Sequence, residues 1–233
     1  MKRIGIFLTS LLSSVRAFAH EYLAKYDTVD VLINNAGISA MRRSGVTAEG
    51  FEVLFATNYL GHFLLTQLLL PHFGANARII SVTSDMHDPP GGIEWKGAEY
   101  LAREAMADRS RYSHSKLCLI YFTHKLDEVL REQGSTVCVN SFNPGFMLAT
   151  NFSGGLADPQ RALTVKTTMP ERYGELESSS DALAEAAVGS QYEGVSGKYF
   201  DRSFGIKNSS ALSYDRANAE ELWTKSMAFC GLD

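Results

Sequence analysis

The sequence predicts an α/β fold built on a doubly wound parallel sheet, because short apolar runs alternate with longer segments of helical periodicity. The strand-like runs cover 29–34, 78–83, 136–141 and 197–200, with 4–8 as a further candidate. The helical segments cover 13–26, 48–72, 110–132, 179–190 and 213–228. Strands that are separated by helices in this way run parallel and carry helices on both faces of the sheet.

Length and composition favour a single domain over residues 1–233. The chain is 45% hydrophobic and 21% charged, a composition typical of a globular domain with a sizeable core. Its net charge of -4 comes from interspersed acidic and basic residues. A broad basic surface for binding nucleic acid is therefore not expected.

Cysteine usage and apolar segments predict a cytoplasmic protein without a membrane span. Cys118, Cys138 and Cys230 are odd in number and form no C-x-x-C pair, which indicates neither a disulfide framework nor a zinc site. The apolar stretch 63–73 contains a threonine and a glutamine and is shorter than the roughly 20 apolar residues that cross a bilayer.

The first 19 residues have two interpretations. Basic residues, an apolar stretch and the sequence Ala17-Phe18-Ala19 resemble a secretory signal with its cleavage site. However, Arg16 lies directly before that site, and the segment continues to residue 26 with helical spacing of its apolar side chains. We favour a helix of the domain.

Polar or glycine-rich residues follow three of the predicted strands, at 34–37, 83–87 and 143–150. Open α/β sheets bind ligands beyond the carboxyl ends of their strands, so these segments are where a site is expected. The stretch 147–178 contains Gly154, Gly155, Pro159 and Pro170 and little periodicity. It is interpreted either as a binding lid or as a mobile surface loop.

The helical segment 110–132 contains two Tyr-x-x-x-Lys pairs, Tyr112 with Lys116 and Tyr121 with Lys125. This spacing places both side chains on one helix face, where a cation lowers the pKa of a neighbouring phenol and makes it a usable acid or base. Nine residues turn a helix through about 900°, so the two pairs face opposite ways. We favour Tyr112, which follows a loop, over Tyr121, whose neighbours "LCLIYF" indicate packing.

Five motifs then occur in the order found in one protein family. They are "NNAG" at 34–37, "NYLGHF" at 58–63, "IISVTS" at 79–84, "YSHSK" at 112–116 and "NPG" at 143–145. On these motifs the chain resembles the short-chain dehydrogenase/reductase family. The segment before "NNAG" and the insertion between residues 84 and 112 resemble the branch that contains retinol dehydrogenases and light-dependent protochlorophyllide reductases.

The resemblance implies a Rossmann-like fold and an oxidoreductase that transfers hydride between NAD(P) and an alcohol or carbonyl substrate. It implies that Tyr112 transfers the proton and that Lys116 binds the nicotinamide ribose and lowers the Tyr112 pKa. Ser84 would hydrogen-bond the substrate oxygen, and Asn58 would hold a water that links Lys116 to solvent. Taken alone, Asn58 could cap or kink a core helix, and Ser84 could begin a turn.

The resemblance also implies the cofactor contacts. Asn35, Ala36 and Gly37 would line its adenosine side, and Pro144 and Gly145 its nicotinamide side. The family usually has threonine five residues after the proline, where this chain has Ala149, so a carboxamide contact from Thr150 requires a one-residue bulge.

The histidines and Cys118 have simpler interpretations than catalysis. His62, His87 and His114 match no metal-ligand spacing, so packing or surface roles are favoured and no metal is expected. Cys118 is interpreted as a small core residue rather than a nucleophile.

The family's motif T-G-x-x-x-G-x-G, whose glycines let backbone amides reach a pyrophosphate, does not occur in the sequence. We expect the chain to correspond to a family domain that is incomplete at its N-terminus. Three explanations are open: a misplaced start codon, an inactive fragment or pseudoenzyme, and folding by pairing with another chain. The alternative to an enzyme is thus a non-catalytic binding or assembly domain.

Substrate identity and the choice of NAD or NADP are not determined by the sequence. Trp95, Tyr100 and Met106 suggest an apolar alcohol or carbonyl ligand. The helices at 48–72 and 110–132 are long enough to form the helix-bundle homodimer seen in the family, although burial in the core explains them equally well.

Overall fold

The computed structural model describes residues 9–39, 45–103, 110–148, 150, 152, 159–203 and 205–232. In this part of the chain, five strands form one sheet in the order β1-β2-β3-β4-β5. The first three pairings are parallel and the last is antiparallel. The strands are β1 Val29–Asn34, β2 Phe73–Val82, β3 Cys138–Asn143, β4 Lys198–Asp201 and β5 Gly205–Lys207.

Helices cover both faces of this sheet, so the prediction of a doubly wound α/β fold is confirmed. They are α1 Leu12–Leu23, α2 Val53–Phe55, α3 Gly61–Leu69, α4 Ala98–Arg103, α5 Ser110–Glu132, α6 Pro159–Thr168, α7 Leu176–Val188 and α8 Arg216–Cys230. A π-helical segment, Ala56–Leu60, joins α2 to α3, and the 3-10 turn Leu70–His72 follows α3.

Several predicted boundaries were wrong. The helix predicted from residue 48 begins at Val53 instead, because residues 47–51 form a turn. The Thr47 carbonyl and hydroxyl oxygens accept hydrogen bonds from Gly50 N and Phe51 N, and Gly50 has φ +79°. Helices α4 and α6 and strand β5 were not predicted, and the candidate strand 4–8 lies outside the described residues.

The core lies on both sides of the sheet because the apolar runs in the strands alternate between faces. Ile79 packs in a large cluster with side chains from α1, α3, α5 and α8. Its neighbour Ile80 packs in a smaller cluster with Phe142, Phe200 and the α7 alanines. All six residues of β3 are buried, which is typical of a central parallel strand.

Helix α1 belongs to this core, in agreement with the helical interpretation of the N-terminal segment. Val15 and Ala19 are buried, and α1 packs against α3. Just before α1, the Thr9 carbonyl approaches Gly61, where an added Cβ would lie 2.1 Å from the Thr9 oxygen. Only glycine fits at this position of the "NYLGHF" motif.

Within the part of the chain that the structure describes, one helical stretch, Val53–His72, is long and apolar enough to cross a membrane, with a mean hydropathy of 1.4. The sequence prediction considered only its second half and missed this length. Most of the stretch is buried inside the fold, at 72%, and α3 packs against α1 while the π-helical segment packs against α5. Its apolar character is therefore accounted for by core packing.

Candidate active site

The four predicted catalytic residues lie near one another beyond the carboxyl end of β2. Ser84 follows β2, Tyr112 and Lys116 lie one turn apart on α5, and Asn58 lies in the π-helical segment. The ends of β2 and α5 are joined by two hydrogen bonds. Thr83 Oγ1 donates to the Lys116 carbonyl at 2.8 Å, and Lys116 Nζ donates to the Val82 carbonyl at 2.8 Å.

Burial raises the Tyr112 pKa to about 12, although the neighbouring Ser84 side chain opposes this shift. The prediction that Lys116 lowers this pKa is wrong for the present structure. The Lys116 ammonium lies 5.6 Å from the centroid of the Tyr112 ring and donates to Val82 instead. Loss of hydration therefore dominates, and the phenol is protonated at neutral pH.

Lys116 is a buried cation, with 3% of the residue exposed. Burial lowers its pKa to about 8, because a charged amine loses its hydration inside the protein. A Cβ added at Gly37 would lie 3.7 Å from Lys116 Nζ and 3.4 Å from Asn58 Oδ1. Gly37 thus keeps space open beside the ammonium group.

Asn58 bridges two parts of the site through its side-chain amide. Its Oδ1 accepts from Ile38 N at 2.8 Å, and its Nδ2 donates to Ile38 O at 3.0 Å and to Ser115 Oγ at 3.0 Å. Asn58 lies in a π-helical turn, a distortion frequently found at functional sites. The structural role that the sequence left open for Asn58 is thus present in the fold.

Ser84 also has a structural contact beside the one to Tyr112. Its Oγ accepts from Met86 N at 3.1 Å and caps the short 3-10 turn Asp85–His87. Its hydroxyl also lies 3.2 Å from Asp85 Oδ1. The serine hydroxyl is therefore held near Tyr112 by the turn that follows β2.

The predicted cofactor-lining residues lie at the ends of β1 and β3. Asn35 and Ala36 are exposed and Gly37 is half-buried. Gly145 has φ +79°, and an added Cβ would lie 2.7 Å from Arg202 Cδ and 3.0 Å from Gly174 Cα. This turn of the "NPG" motif therefore requires glycine.

Pro144 and Thr150 are held by local hydrogen bonds. The Pro144 carbonyl accepts from Ser179 Oγ on α7 at 2.9 Å, and Thr150 Oγ1 accepts from Phe152 N at 3.4 Å. The bulge that a Thr150 contact requires falls on Ala149, outside the described residues. The carboxamide contact stays a prediction.

The second Tyr-x-x-x-Lys pair is part of the packing, as the sequence analysis favoured. Tyr121 is fully buried, its hydroxyl donates to the Leu212 carbonyl at 2.9 Å, and it accepts from Asn218 Nδ2 at 3.1 Å. Lys125 forms ion pairs with Glu128 at 3.2 Å and Glu220 at 2.7 Å. This pair has no contact to the polar strand ends in the hydrogen bonds of the described residues.

The histidines and Cys118 are packed into the fold. His62 Nδ1 is hydrogen-bonded to the Asn58 carbonyl, and burial lowers the His62 pKa to about 3. The His87 ring lies between the Ser84 carbonyl oxygen and the Ser210 backbone N–H. Both ring nitrogens of His114 face carbonyl oxygens, those of Ser110 and Glu94. Among the residues described, no group of three metal-ligating side chains occurs. Cys118 is fully buried.

Comparison with known proteins identifies the family. A family model described as short chain dehydrogenase matches residues 8–93. Over 227 residues the chain is 35% identical to polyprenol dehydrogenase from Danio rerio, covering 95% of this chain and 68% of that protein. The chain belongs to the short-chain dehydrogenase/reductase family.

Two further similarities support this assignment. The chain is 35% identical over 237 residues to retinol dehydrogenase 13 from Mus musculus, which confirms the retinol dehydrogenase-like branch. The alignment covers 95% of this chain but 66% of that relative's length. Among solved structures, an uncharacterised protein from Mycobacterium paratuberculosis is 28% identical, with a TM-score of 0.66, and the match covers 96% of this chain and 73% of that one.

Sequence reasoning missed three residues of this short-chain dehydrogenase site. Ser115 links Asn58 to the Tyr112 carbonyl, to which its Oγ donates at 2.7 Å. The Phe152 ring lies 5.7 Å from the Tyr112 ring, centroid to centroid. Arg172 forms an ion pair with Asp85 at 3.6 Å. Ser115 belongs to the "YSHSK" motif and could have been found from the sequence. The contacts of Phe152 and Arg172 depend on the path of the 147–178 segment.

That segment is anchored next to the site at its C-terminal end. Phe146 N donates to Arg172 O at 2.6 Å, and Gly174 N donates to Phe146 O at 3.2 Å. Trp95, by contrast, is not available as a ligand contact: its indole N–H donates to Glu221 Oε2 at 2.7 Å and its ring packs edge-on against Tyr121. Tyr100 is exposed, and Met106 lies outside the described residues.

Proposed function

We propose that this chain is an NAD(P)-dependent oxidoreductase that interconverts an alcohol and a carbonyl compound. The observation that carries the proposal is the grouping of three polar side chains at the end of β2: Ser84 is a neighbour of the Tyr112 hydroxyl, and the Lys116 ammonium is buried one helical turn away. Two hydroxyl donors beside a buried cation can polarise and protonate a carbonyl oxygen.

The protonation state of the site suits carbonyl reduction. With a pKa of about 12, Tyr112 carries its proton at neutral pH and can donate it to the oxygen of a bound carbonyl. Ser84 would hydrogen-bond the same oxygen and stabilise the negative charge that develops there. A bound nicotinamide cofactor supplies the hydride to the carbonyl carbon. The phenolate that Tyr112 leaves then takes up a proton from solvent before the next turnover.

The residues around Lys116 fit the nicotinamide half of such a cofactor. Among the residues that the structure describes, the Val82 carbonyl is the one hydrogen-bond acceptor of its ammonium, so two N–H groups remain for ribose hydroxyls. Gly37 leaves space beside this group, and Gly145 forms the turn at the end of the neighbouring strand β3. Whether NAD or NADP is used is open.

We further propose an apolar, isoprenoid-like alcohol or aldehyde as the substrate class. Two relatives are named for retinol and polyprenol, which are both long apolar alcohols. In this chain the Phe152 ring packs against Tyr112 and provides an apolar wall at the reacting hydroxyl. Because an apolar wall contributes binding free energy only to apolar groups, short polar aldehydes should be poor substrates.

The first experiment is a titration of the purified chain with NADPH and, separately, NADH, followed by nicotinamide fluorescence and thermal unfolding. A ligand that binds only the folded state raises the melting temperature, so saturable binding should appear in both signals. Turnover is then measured with retinaldehyde and with glyceraldehyde as the polar control. The proposal expects binding of one cofactor and faster reduction of retinaldehyde.

Three results would separate the alternatives. Cofactor binding with equal rates for both aldehydes contradicts the substrate class and leaves the oxidoreductase standing. Binding without turnover of either aldehyde or its alcohol contradicts the catalytic proposal for these substrates. A folded protein that binds neither nucleotide favours the non-catalytic binding or assembly domain.

We also propose that the protein forms a homodimer and that it is located in the cytoplasm. A homodimer would be detected by light scattering coupled to size-exclusion chromatography. A cytoplasmic location would be tested by fractionation of cells that produce the natural gene product, with the buried apolar stretch Val53–His72 as the feature that could direct it to membranes instead.

A further inference from the structure

A buried ion pair lies one helical turn from the proposed active site. Arg111 Nη1 and Glu52 Oε1 are 2.7 Å apart, and the two side chains are 7% and 2% exposed. Arg111 directly precedes Tyr112 on α5, and Glu52 directly precedes α2. The pair is therefore next to the catalytic tyrosine in sequence and contacts none of the four proposed catalytic side chains.

Glu52 also fixes the start of the helix that carries Asn58. Its second carboxylate oxygen, Oε2, accepts from Phe55 N at 2.8 Å and caps α2, and its backbone N donates to Ala102 O at 2.7 Å. From Glu52 the chain continues without interruption through α2 into the π-helical turn that contains Asn58. A rotation at Glu52 is thus transmitted to Asn58.

Besides the core packing between them, the Asn58 segment and α5 are joined by two polar contacts. The first is the bond from Asn58 Nδ2 to Ser115 Oγ, and the second is the Glu52–Arg111 pair. On α5 the two points are four residues apart, about one helical turn or 6 Å. Two separated polar contacts constrain the relative rotation of the two packed elements more tightly than one contact does.

We propose that Glu52 and Arg111 are positioning residues of the oxidoreductase site. Their ion pair sets the rotation of the Asn58 segment against α5, so that the Asn58 amide reaches Ile38 and Ser115 together while Tyr112 faces Ser84. This inference rests on the proposed function for its effect on turnover. Its effect on the geometry of the unliganded protein is independent of that function.

The geometric part has a direct reporter. Ile38 N donates to Asn58 Oδ1 at 2.8 Å, so hydrogen exchange of the Ile38 amide reports whether Asn58 is in place. A rotation of the Asn58 segment would break this bond without unfolding the core. A general loss of stability, by contrast, would increase hydrogen exchange at backbone amides throughout the sheet.

The decisive variant is the double substitution Glu52→Gln/Arg111→Met. Glutamine keeps an oxygen that can cap Phe55 N, and the double substitution removes both charges of the pair, so that neither Glu52 nor Arg111 is left as a buried charge facing an uncharged partner. We expect the double variant to have a melting temperature near that of the wild type and hydrogen exchange of the Ile38 amide that is roughly tenfold faster or more. Its kcat should fall roughly 10- to 100-fold, with little change in the KM for the cofactor. The single variant Arg111→Lys, which keeps the positive charge opposite Glu52, should retain much of the wild-type protection of the Ile38 amide against hydrogen exchange.

The matched control is Arg131→Met, which removes an arginine from an ion pair with Asp127 at the far end of the same helix. It should leave Ile38 exchange and kcat unchanged. The proposal is overturned if the stable double variant keeps wild-type Ile38 exchange, or if exchange rises and kcat does not fall. Should the wild type show no turnover at all, the proposed function fails, and the exchange rates alone support or overturn the positioning role.

Discussion

Helix α5 carries the same Tyr-x-x-x-Lys spacing twice, and the two copies lie in different environments. The Tyr112 hydroxyl lies beside Ser84 beyond the end of β2, whereas the Tyr121 hydroxyl is hydrogen-bonded to the Leu212 carbonyl and to Asn218. Lys116 is buried and donates a hydrogen bond to the Val82 carbonyl, whereas Lys125 forms ion pairs with two glutamates. The first pair faces the polar strand ends and the second faces α8 and the turn before it.

A raised pKa does not distinguish Tyr112, the proposed catalytic tyrosine, from Tyr121. Burial raises the pKa of both Tyr112 and Tyr121 to about 12. The two lysines do differ, because burial lowers the pKa of Lys116 to about 8, while the side chains of Glu220 and Glu128 raise that of Lys125. What separates the pairs is the set of groups that each hydroxyl and each ammonium can reach.

The largest expected difference is in turnover. Tyr112→Phe removes the proposed proton donor and keeps the ring, so kcat should fall roughly 10²- to 10⁴-fold. The matched variant Tyr121→Phe should stay within a few-fold of the wild type. Steady-state reduction of retinaldehyde with the cofactor that binds measures both. Equal losses in the two variants would contradict the assignment of Tyr112.

The next largest effect is on stability and concerns Lys116. A folded-state pKa of about 8 against an ordinary value of 10.5 corresponds to a penalty of about 3 kcal/mol for burying the charged amine at neutral pH. Lys116→Met should therefore raise the free energy of unfolding by about 2 kcal/mol at pH 7, after loss of its hydrogen bond, while turnover falls. Chemical denaturation measures the change.

The pH dependence of this difference provides a second measurement. Between pH 8 and 10.5 the unfolded chain holds the Lys116 proton more tightly than the folded chain does, so wild-type stability rises with pH in this window. The increase in the free energy of unfolding that Lys116→Met causes should therefore become smaller as the pH rises from 8 to 10.5. A gain that is constant from pH 7 to pH 10 would show that Lys116 is not a desolvated cation.

Tyr121→Phe should give a smaller change, confined to stability. It leaves the buried Leu212 carbonyl and Asn218 amide without their partner, which costs about 1–2 kcal/mol. Thermal unfolding at pH 7 measures this, with Tyr112→Phe as the comparison. If Tyr121→Phe proved as stable as the wild type, water or another group must replace the hydroxyl.

The smallest effect is expected for Lys125→Met. Its partner Glu220 is more than half exposed, and exposed ion pairs contribute about 0–1 kcal/mol. The free energy of unfolding and kcat should both stay close to wild-type values, in contrast to Lys116→Met. A large loss of activity would contradict the view that only one of the two pairs serves the site.

Much of the fold could be predicted from the sequence because apolar runs and periodicity are local signals. Strand β1 and helix α5 have their predicted bounds, and "IISV" is buried on both faces as a central strand requires. Helix α4, strand β5 and the start of α2 were missed, since a short element depends on packing more than on its own periodicity. Helix α6 was hidden in a stretch with little apolar pattern.

The sequence alone established the family, four of the five strands that the structure describes and the residue types of the site. Three features depend on the tertiary structure: the position of Ser84 beside Tyr112, the burial that raises the Tyr112 pKa, and the pairing of Glu52 with Arg111. Motifs are read from neighbours along the chain. Hydration and hydrogen bonding depend on neighbours in space, such as Glu52 and Arg111, which are 59 positions apart in the sequence.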